Sequence, residues 1–287
     1  MGVLSGVSCF FSFFFCILCL SSTNFLNIWL FLELSVLSVI PCFFGNYVYL
    51  NYYKGLLYYL LLSGISSGLI FSGLLLFNES GGSLICLGGF LIKFCIFPLG
   101  FWVYIVGNSC SWPVIWLITC CSKIFCPILS VFFSSGFFFL STILCALTLV
   151  FSGAYFWFGS SSSRIIWINM SVSSSAVLFF LFLNSDSYLN YYLLIYYLIW
   201  SSLCISNFSS SPFYTSLSTS YTMFLLYSVP LSLSFFYKLL GVVALVESPA
   251  FWSLILSFFL YGISEQYYLF KSWGFSWSVQ DGKLLIK

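Results

Sequence analysis

The sequence predicts an all-α polytopic membrane helix bundle, on three observations. Of its 287 residues, 62% are hydrophobic and 5% charged, whereas a soluble domain carries roughly a quarter charged residues. The mean hydropathy is +1.11, so the chain cannot cover a globule with water-compatible surface. Breaks of Asn, Ser, Gly, Pro and charge divide it into ten stretches, each near the ~20 apolar residues that cross a hydrocarbon core at helical rise.

The first stretch, 3–20, has no positively charged leader before it and reads as a retained span, not a cleaved signal. The second, 25–44, contains Glu33, and the third is 55–77. The fourth, 82–106, carries Lys93 and then Pro98, and the fifth, 112–133, carries Lys123. Then come 137–158, 165–183 and 189–206, separated by the serine-rich loops 159–164 and 207–220. The ninth, 219–246, has Pro230 eight residues before Lys238, and the tenth is 250–271. One transmembrane domain results, divided as 1–133, 137–271 and a polar tail, 272–287.

Proline removes a backbone donor and frees a carbonyl that lipid cannot satisfy. Helices broken at Pro98 and Pro230 therefore belong inside a bundle, beside a polar cavity. Interrupted helices at matching places in two halves point to an inverted repeat. The fourth and ninth spans are five apart, an odd number, which gives two inverted five-helix repeats; ordinary kinks account for the prolines equally well. Ten spans place Lys54, Arg164, Lys271, Lys283 and Lys287 on the N-terminal side and Glu79, Asp186 and Glu247 on the other. That sorting puts the N-terminus on the matrix or cytoplasmic side.

Charge at bilayer depth is the chemical signal. Glu33, Lys93, Lys123 and Lys238 lie inside apolar runs, where an ionised group costs ~2.5–3.5 kcal/mol on insertion scales. One carboxylate and three amines form the inventory of a proton pathway. The bland alternatives are a helix–helix contact for Glu33, a helix-end or headgroup contact for Lys123, and a snorkelling Lys238. Glu247, beside Pro249, suits a solvated interface, and Lys54 and Arg164 suit topology anchors.

Other chemistries are disfavoured. With no His, haem, binuclear copper and zinc-hydrolase sites are implausible. The 12 cysteines lie mostly in apolar runs, and the Cys16–Cys19 CxxC spacing falls within a span, so packed thiols are expected ahead of redox or iron–sulfur roles. A net charge of +2 without a basic patch gives no nucleic-acid site. The abundant Phe, Tyr, Leu, Ser, Val and Cys have T-rich codons, and the scarce Lys, Gln, His and Pro have codons rich in A and C. That bias suggests mitochondrial synthesis.

Four blocks carry a family resemblance. WLFLELSVLSVIP (29–41) resembles the second helix of mitochondrial NADH–ubiquinone oxidoreductase chain 2, an antiporter-like subunit of respiratory complex I. The match lies at Trp29, Leu32, Glu33, Leu34, Leu37, Ser38, Ile40 and Pro41, with Ser35 at the family's Asn. LIKFCIFPLGFW keeps the spacing of Lys93, Pro98 and Trp102, with Gly100 at the family's His. TCCSKIFCP keeps Lys123 in register, with Pro127 one place late, and YSVPLSLSFFYK keeps Pro230, Phe235 and Lys238 but lacks the second Pro and the Gly.

The resemblance implies a core membrane subunit of NADH:ubiquinone reductase, a translocase of the inner mitochondrial membrane. It implies that Glu33 and Lys93 pair near one half-channel, with Lys123 central and Lys238 toward the second. Partners would be other complex I membrane subunits and lipid. NAD, FMN, iron–sulfur clusters and ubiquinone would lie in partner subunits, with no cofactor in this chain. Desolvation makes an ammonium more acidic and a nearby carboxylate reverses this, so moving the acid switches Lys93 from holding a proton to releasing it. A thousandfold change in acidity supplies roughly 4 kcal/mol, against about 3.5–4.6 kcal/mol to carry one charge across ~150–200 mV. Alternatives are a non-catalytic scaffold of the same complex, another antiporter-like subunit, and a seven-span chemoreceptor; the last gives no reason for three lysines at depth.

Overall fold

The computed structural model describes residues 3–44, 52–76, 81–133, 137–159, 162–185, 187–210, 224–248 and 252–284. Every regular element among them is helical. Glu79, Asp186, Lys287, positions 219–223 of the expected ninth span and 250–251 of the tenth lie outside the described residues.

Helix α1 (Val3–Ser21) turns back on α2 (Phe25–Phe43), and α3 (Tyr52–Leu75) packs on α4 (Gly82–Lys93) and α5 (Trp102–Ser109). The next stretch runs as α6 (Trp112–Trp116), a π-helical turn (Leu117–Cys121), α7 (Ser122–Ile124) and α8 (Ile128–Phe132). Then come α9 (Phe138–Phe158), α10 (Ser163–Asn184), α11 (Tyr188–Ser210), α12 (Leu233–Glu247) and α13 (Trp252–Leu284). Helix α9 bridges α10 and α13, and α11 packs on α12. Seven described stretches are long and apolar enough to cross a bilayer; the other expected spans correspond to the split α4–α5, to α12 and to α13. Helix α13 continues to Leu284, through most of the segment expected as a polar tail.

Helix α10 is the axis of the bundle. All its residues from Ile166 to Leu183 are buried, the environment of a helix enclosed on every side. Its polar run survives there because each hydroxyl is satisfied locally. Ser171 and Ser175 donate to the carbonyl three residues back at 2.7 Å, and Ser173 and Ser174 do so at 2.8 Å. The outer helices instead turn large apolar side chains outward, such as Phe10 (68% exposed) and Phe158 (92%), as lipid requires.

The breaks are built from backbone groups that find partners in other elements. After Lys93 the α-ladder fails: Ile96 N–H donates to Leu91 O at 3.0 Å, and Cys95 takes the left-handed φ of 61°. The Trp102 indole N–H and the Cys95 N–H both donate to Ile92 O at 3.2 Å, replacing the α-helical donor that the break removes. Gly100 fits because a Cβ there would collide with the Cys95 carbonyl oxygen. The position that holds His in the resembling family thus lies in a turn too tight for any side chain.

The second break, around Pro230, is closed the same way. The Ser228 N–H donates to Gln266 Oε1 of α13 at 3.0 Å, the Trp200 indole of α11 donates to Leu225 O at 2.8 Å, and Tyr196 donates to Leu233 O at 2.9 Å. Ser232 then caps α12, its Oγ accepting from Phe235 N–H at 3.2 Å.

A third break, in 112–133, is not among the sequence expectations. The π-helical turn inserts one extra residue per turn, and Pro127 ends the ladder just after Lys123. Thr119 donates to Ile115 O at 2.7 Å, so one carbonyl of this loosened stretch is satisfied by a side chain.

Charges outside the core divide unevenly. Lys54, Glu247 and Lys271 are exposed. Arg164, expected as a topology anchor at the end of a serine-rich loop, is 6% exposed, in the first turn of α10 with its guanidinium 6.0 Å from the Trp112 ring centroid. Its long alkyl stem lets it cover apolar surface while its head meets an aromatic face.

Gly100→Ala should destabilise the protein by about 1–3 kcal/mol, the usual range for strain at a tight site. Gly64→Ala in α3, where a Cβ meets nothing within 4 Å, should not. Thermal denaturation of the purified protein carrying each change distinguishes them.

Candidate proton-relay site

Lys123 is the most enclosed of the lysines. It lies between the π-helical turn and Pro127, and it is 2% exposed. Its Nζ donates to Ser171 O at 2.7 Å and to Ser174 Oγ, both on α10, and lies 3.8 Å from the Tyr197 ring centroid of α11. The amine is therefore held by two neutral oxygens and a ring face, with no carboxylate in ion-pair contact among the described residues. Such a cradle can receive a proton without fixing it, because neutral acceptors bind an ammonium less strongly than a carboxylate does.

Lys93 ends α4, where the ladder breaks. Its Nζ lies 5.0 Å from the Phe125 ring centroid, in the turn that follows Lys123. It lines a cavity of about 50 Å³ together with Ser12, Ser35, Ser63, Ser66 and Ser122. A water needs roughly 10–15 Å³ of such space and two or more polar partners, so this cavity accommodates a few.

Glu33 lies on α2, half-buried, with Oε2 enclosed and without a hydrogen-bond partner among the described residues. It is within electrostatic reach of Lys93 but forms no ion pair with it within 4 Å. The pairing implied by the family resemblance is thus a coupling at a distance in this structure. Ser35, where that family has Asn, donates to Leu32 O at 2.7 Å while lining the cavity.

Lys238, on α12, has an unforeseen partner. Its Nζ stands 3.0 Å from Oε2 of Glu265 on α13, with side chains 18% and 2% exposed. The contact is not aligned as a hydrogen bond, so charge, not direction, holds it. Lys238 also borders an open groove of about 680 Å³ lined by Phe235, Leu239, Phe258, Gln266 and Tyr267. Sequence reasoning missed Glu265, although a carboxylate in the tenth apolar stretch was a visible signal. Its neighbours Ser264 and Gln266 make the position resemble a polar span end.

The cysteines form no centre. Cys16 and Cys19 are not bonded to each other; their thiols point to Cys121 O at 3.9 Å and Ile28 O at 3.4 Å. No group of three potential metal ligands forms among the described residues.

The fold defines a class first. It is similar to a chain of respiratory complex I from Thermus thermophilus with bound aureothin, at a TM-score of 0.77 and 17% identity, covering 94% of this chain and 69% of that one. A chain of the Mrp complex from Dietzia sp. DQ12-45-1b is similar at a TM-score of 0.77 and 12% identity, covering 93% and 59%. A chain of the membrane-bound sulfane sulfur reductase, an archaeal respiratory membrane complex, is similar at 0.75 and 14%, covering 93% and 65%. The chain is thus a polytopic membrane helix bundle of the architecture these complexes contain.

Within that class its sequence resembles NADH–ubiquinone oxidoreductase chain 2. The Caenorhabditis elegans protein of that name is 28% identical over 185 residues, 60% of this chain and 61% of the relative. The Artemia franciscana protein is 29% identical over 254 residues, 83% and 79%. The match to the nematode protein thus spans less than two thirds of its length. No family model matches.

Removing one member of a buried ion pair strands the other, at a cost of up to about 3–5 kcal/mol. Lys238→Met should therefore lower the thermal midpoint of the purified protein, and Lys238→Met with Glu265→Gln should recover most of the loss.

Proposed function

We propose that this chain is a proton-translocating membrane subunit of respiratory complex I, the H⁺-translocating NADH:ubiquinone reductase, in the mitochondrial inner membrane. The observation that carries the reading is the Lys123 amine, enclosed at 2% exposure and held, among the described residues, by Ser171 O, Ser174 Oγ and the Tyr197 ring. A permanent cation serving structure alone would be expected beside a carboxylate; an amine among neutral acceptors suits a group that loads and unloads.

Glu33 tunes Lys93, which lines the serine-rich cavity. Lys93 exchanges with Lys123 past Phe125, and Lys123 exchanges with Lys238 toward the second half of the bundle. Pumping requires two states of the Glu33–Lys93 arrangement, since one fixed geometry biases nothing. Proton passage between the lysines runs through water and the Ser and Tyr hydroxyls, as the chain has no His. Electron transfer, with NAD, FMN, iron–sulfur clusters and ubiquinone, belongs to partner subunits, and the other membrane subunits of the complex cover the apolar flanks. The N-terminus faces the matrix.

Lys93→Met and Lys123→Met should leave the complex assembled, as judged on native gels, and lower the protons moved per electron in NADH-driven vesicles. Assembled complex with both changes that pumps at the normal ratio would make the chain a scaffold.

A further inference from the structure

Glu265 is the buried acid for which the relay described so far has no role. It is 1% exposed on α13, a helix outside the four blocks that resemble chain 2, and its Oε2 is 3.0 Å from Lys238 Nζ. Around it lie phenols and a hydroxyl from its own helix and two others. Tyr237 of α12 and Tyr261 of α13 are within electrostatic reach of Glu265, and Ser173 of α10 adjoins Tyr261. Ser174, which accepts from Lys123, also adjoins Tyr197 and Tyr237. The Tyr197 and Tyr237 rings are 5.7 Å apart, and both hydroxyls are buried without a hydrogen-bond partner among the described residues. Hydroxyls therefore line the interval from Lys123 to the Lys238–Glu265 pair, of which Lys238 borders the open groove and Glu265 is enclosed.

We propose that Glu265 is a proton-exchanging residue, the acid that receives the proton of Lys238 in the second half of the bundle and gives it up to water. The step is a transfer from Lys238 Nζ to Glu265 Oε2, made when rotation of the ammonium turns an N–H onto the oxygen 3.0 Å away. The N–H bond of the Lys238 ammonium breaks and an O–H bond forms on Glu265 Oε2, turning an ammonium–carboxylate pair into an amine and a carboxylic acid. The pair is neutral before and after, so the transfer leaves no uncompensated charge in the apolar interior. A structural ion pair would instead remain ionised throughout turnover. The second half of the bundle then has its own lysine–acid pair, in direct contact, where Glu33 and Lys93 of the first half act across a gap. This inference rests on the proton-translocating reading, and the controls below separate the two.

Two measurements on the assembled complex decide it. Glu265→Gln keeps the shape of the side chain and removes the acid, and it should give assembled complex whose proton-to-electron ratio falls as far as that of Lys123→Met. Lys123→Met impaired with Glu265→Gln normal overturns the role of Glu265 and leaves the wider reading standing; both normal overturns both. Should the Gln variant not assemble, wild-type complex decides the matter. Dicyclohexylcarbodiimide modifies carboxyl groups in their protonated form, so peptide mass spectrometry should find Glu265 modified faster during NADH turnover than at rest. Equal or absent modification in the two conditions overturns the proposal.

Discussion

The amine of Lys123 has to be accommodated in an apolar interior with no carboxylate in ion-pair contact among the described residues, and the arrangement of the bundle follows from that requirement. An unpaired cation in an apolar interior is costly, so α10 brings Ser171 O and Ser174 Oγ to it and α11 adds the face of Tyr197. Those donations need α10 at the centre of the molecule, flanked by α9 and α11. They also need a backbone loose enough to turn a lysine inward, which the π-helical turn and Pro127 provide.

The broken backbone near Lys93 and Lys238 is governed by the same demand. Each interruption frees peptide groups that lipid cannot satisfy, and each is closed by a side chain from elsewhere in the chain: Trp102 on one side, Gln266 and Trp200 on the other. These closures tie the charged ends of α4 and α12 to the rest of the bundle. Lys93 thereby faces a serine-lined cavity and Lys238 faces Glu265.

Much of this was legible in the amino-acid order. Hydropathy located most of the helices within a few residues, because crossing length is set by the bilayer and not by tertiary detail; the exceptions are α12, which begins only at Leu233, and α13, which continues to Leu284. The two proline breaks followed from the missing donor, and three lysines announced themselves by their apolar surroundings. The break before Pro127 was not legible, since a π-turn is a one-residue packing adjustment with no composition of its own. The surroundings of Arg164 were not legible, because its stem and its head prefer different ones, and only the fold reveals that its head lies near Trp112. Glu265 escaped because its partner is 27 positions away, on another helix. The gap between Glu33 and Lys93 was equally out of reach, as spacing along a chain carries no distance between helices.

The serines of α10 fold their hydroxyls back onto carbonyls three positions earlier. To its neighbours, such a serine presents little more than a methylene, so side-chain inventories exaggerate how wet this core is. Slender, self-contained residues let adjoining helices approach closely while keeping oxygen lone pairs in reserve. A helix rich in alanine would pack as tightly but would have none to offer a passing cation.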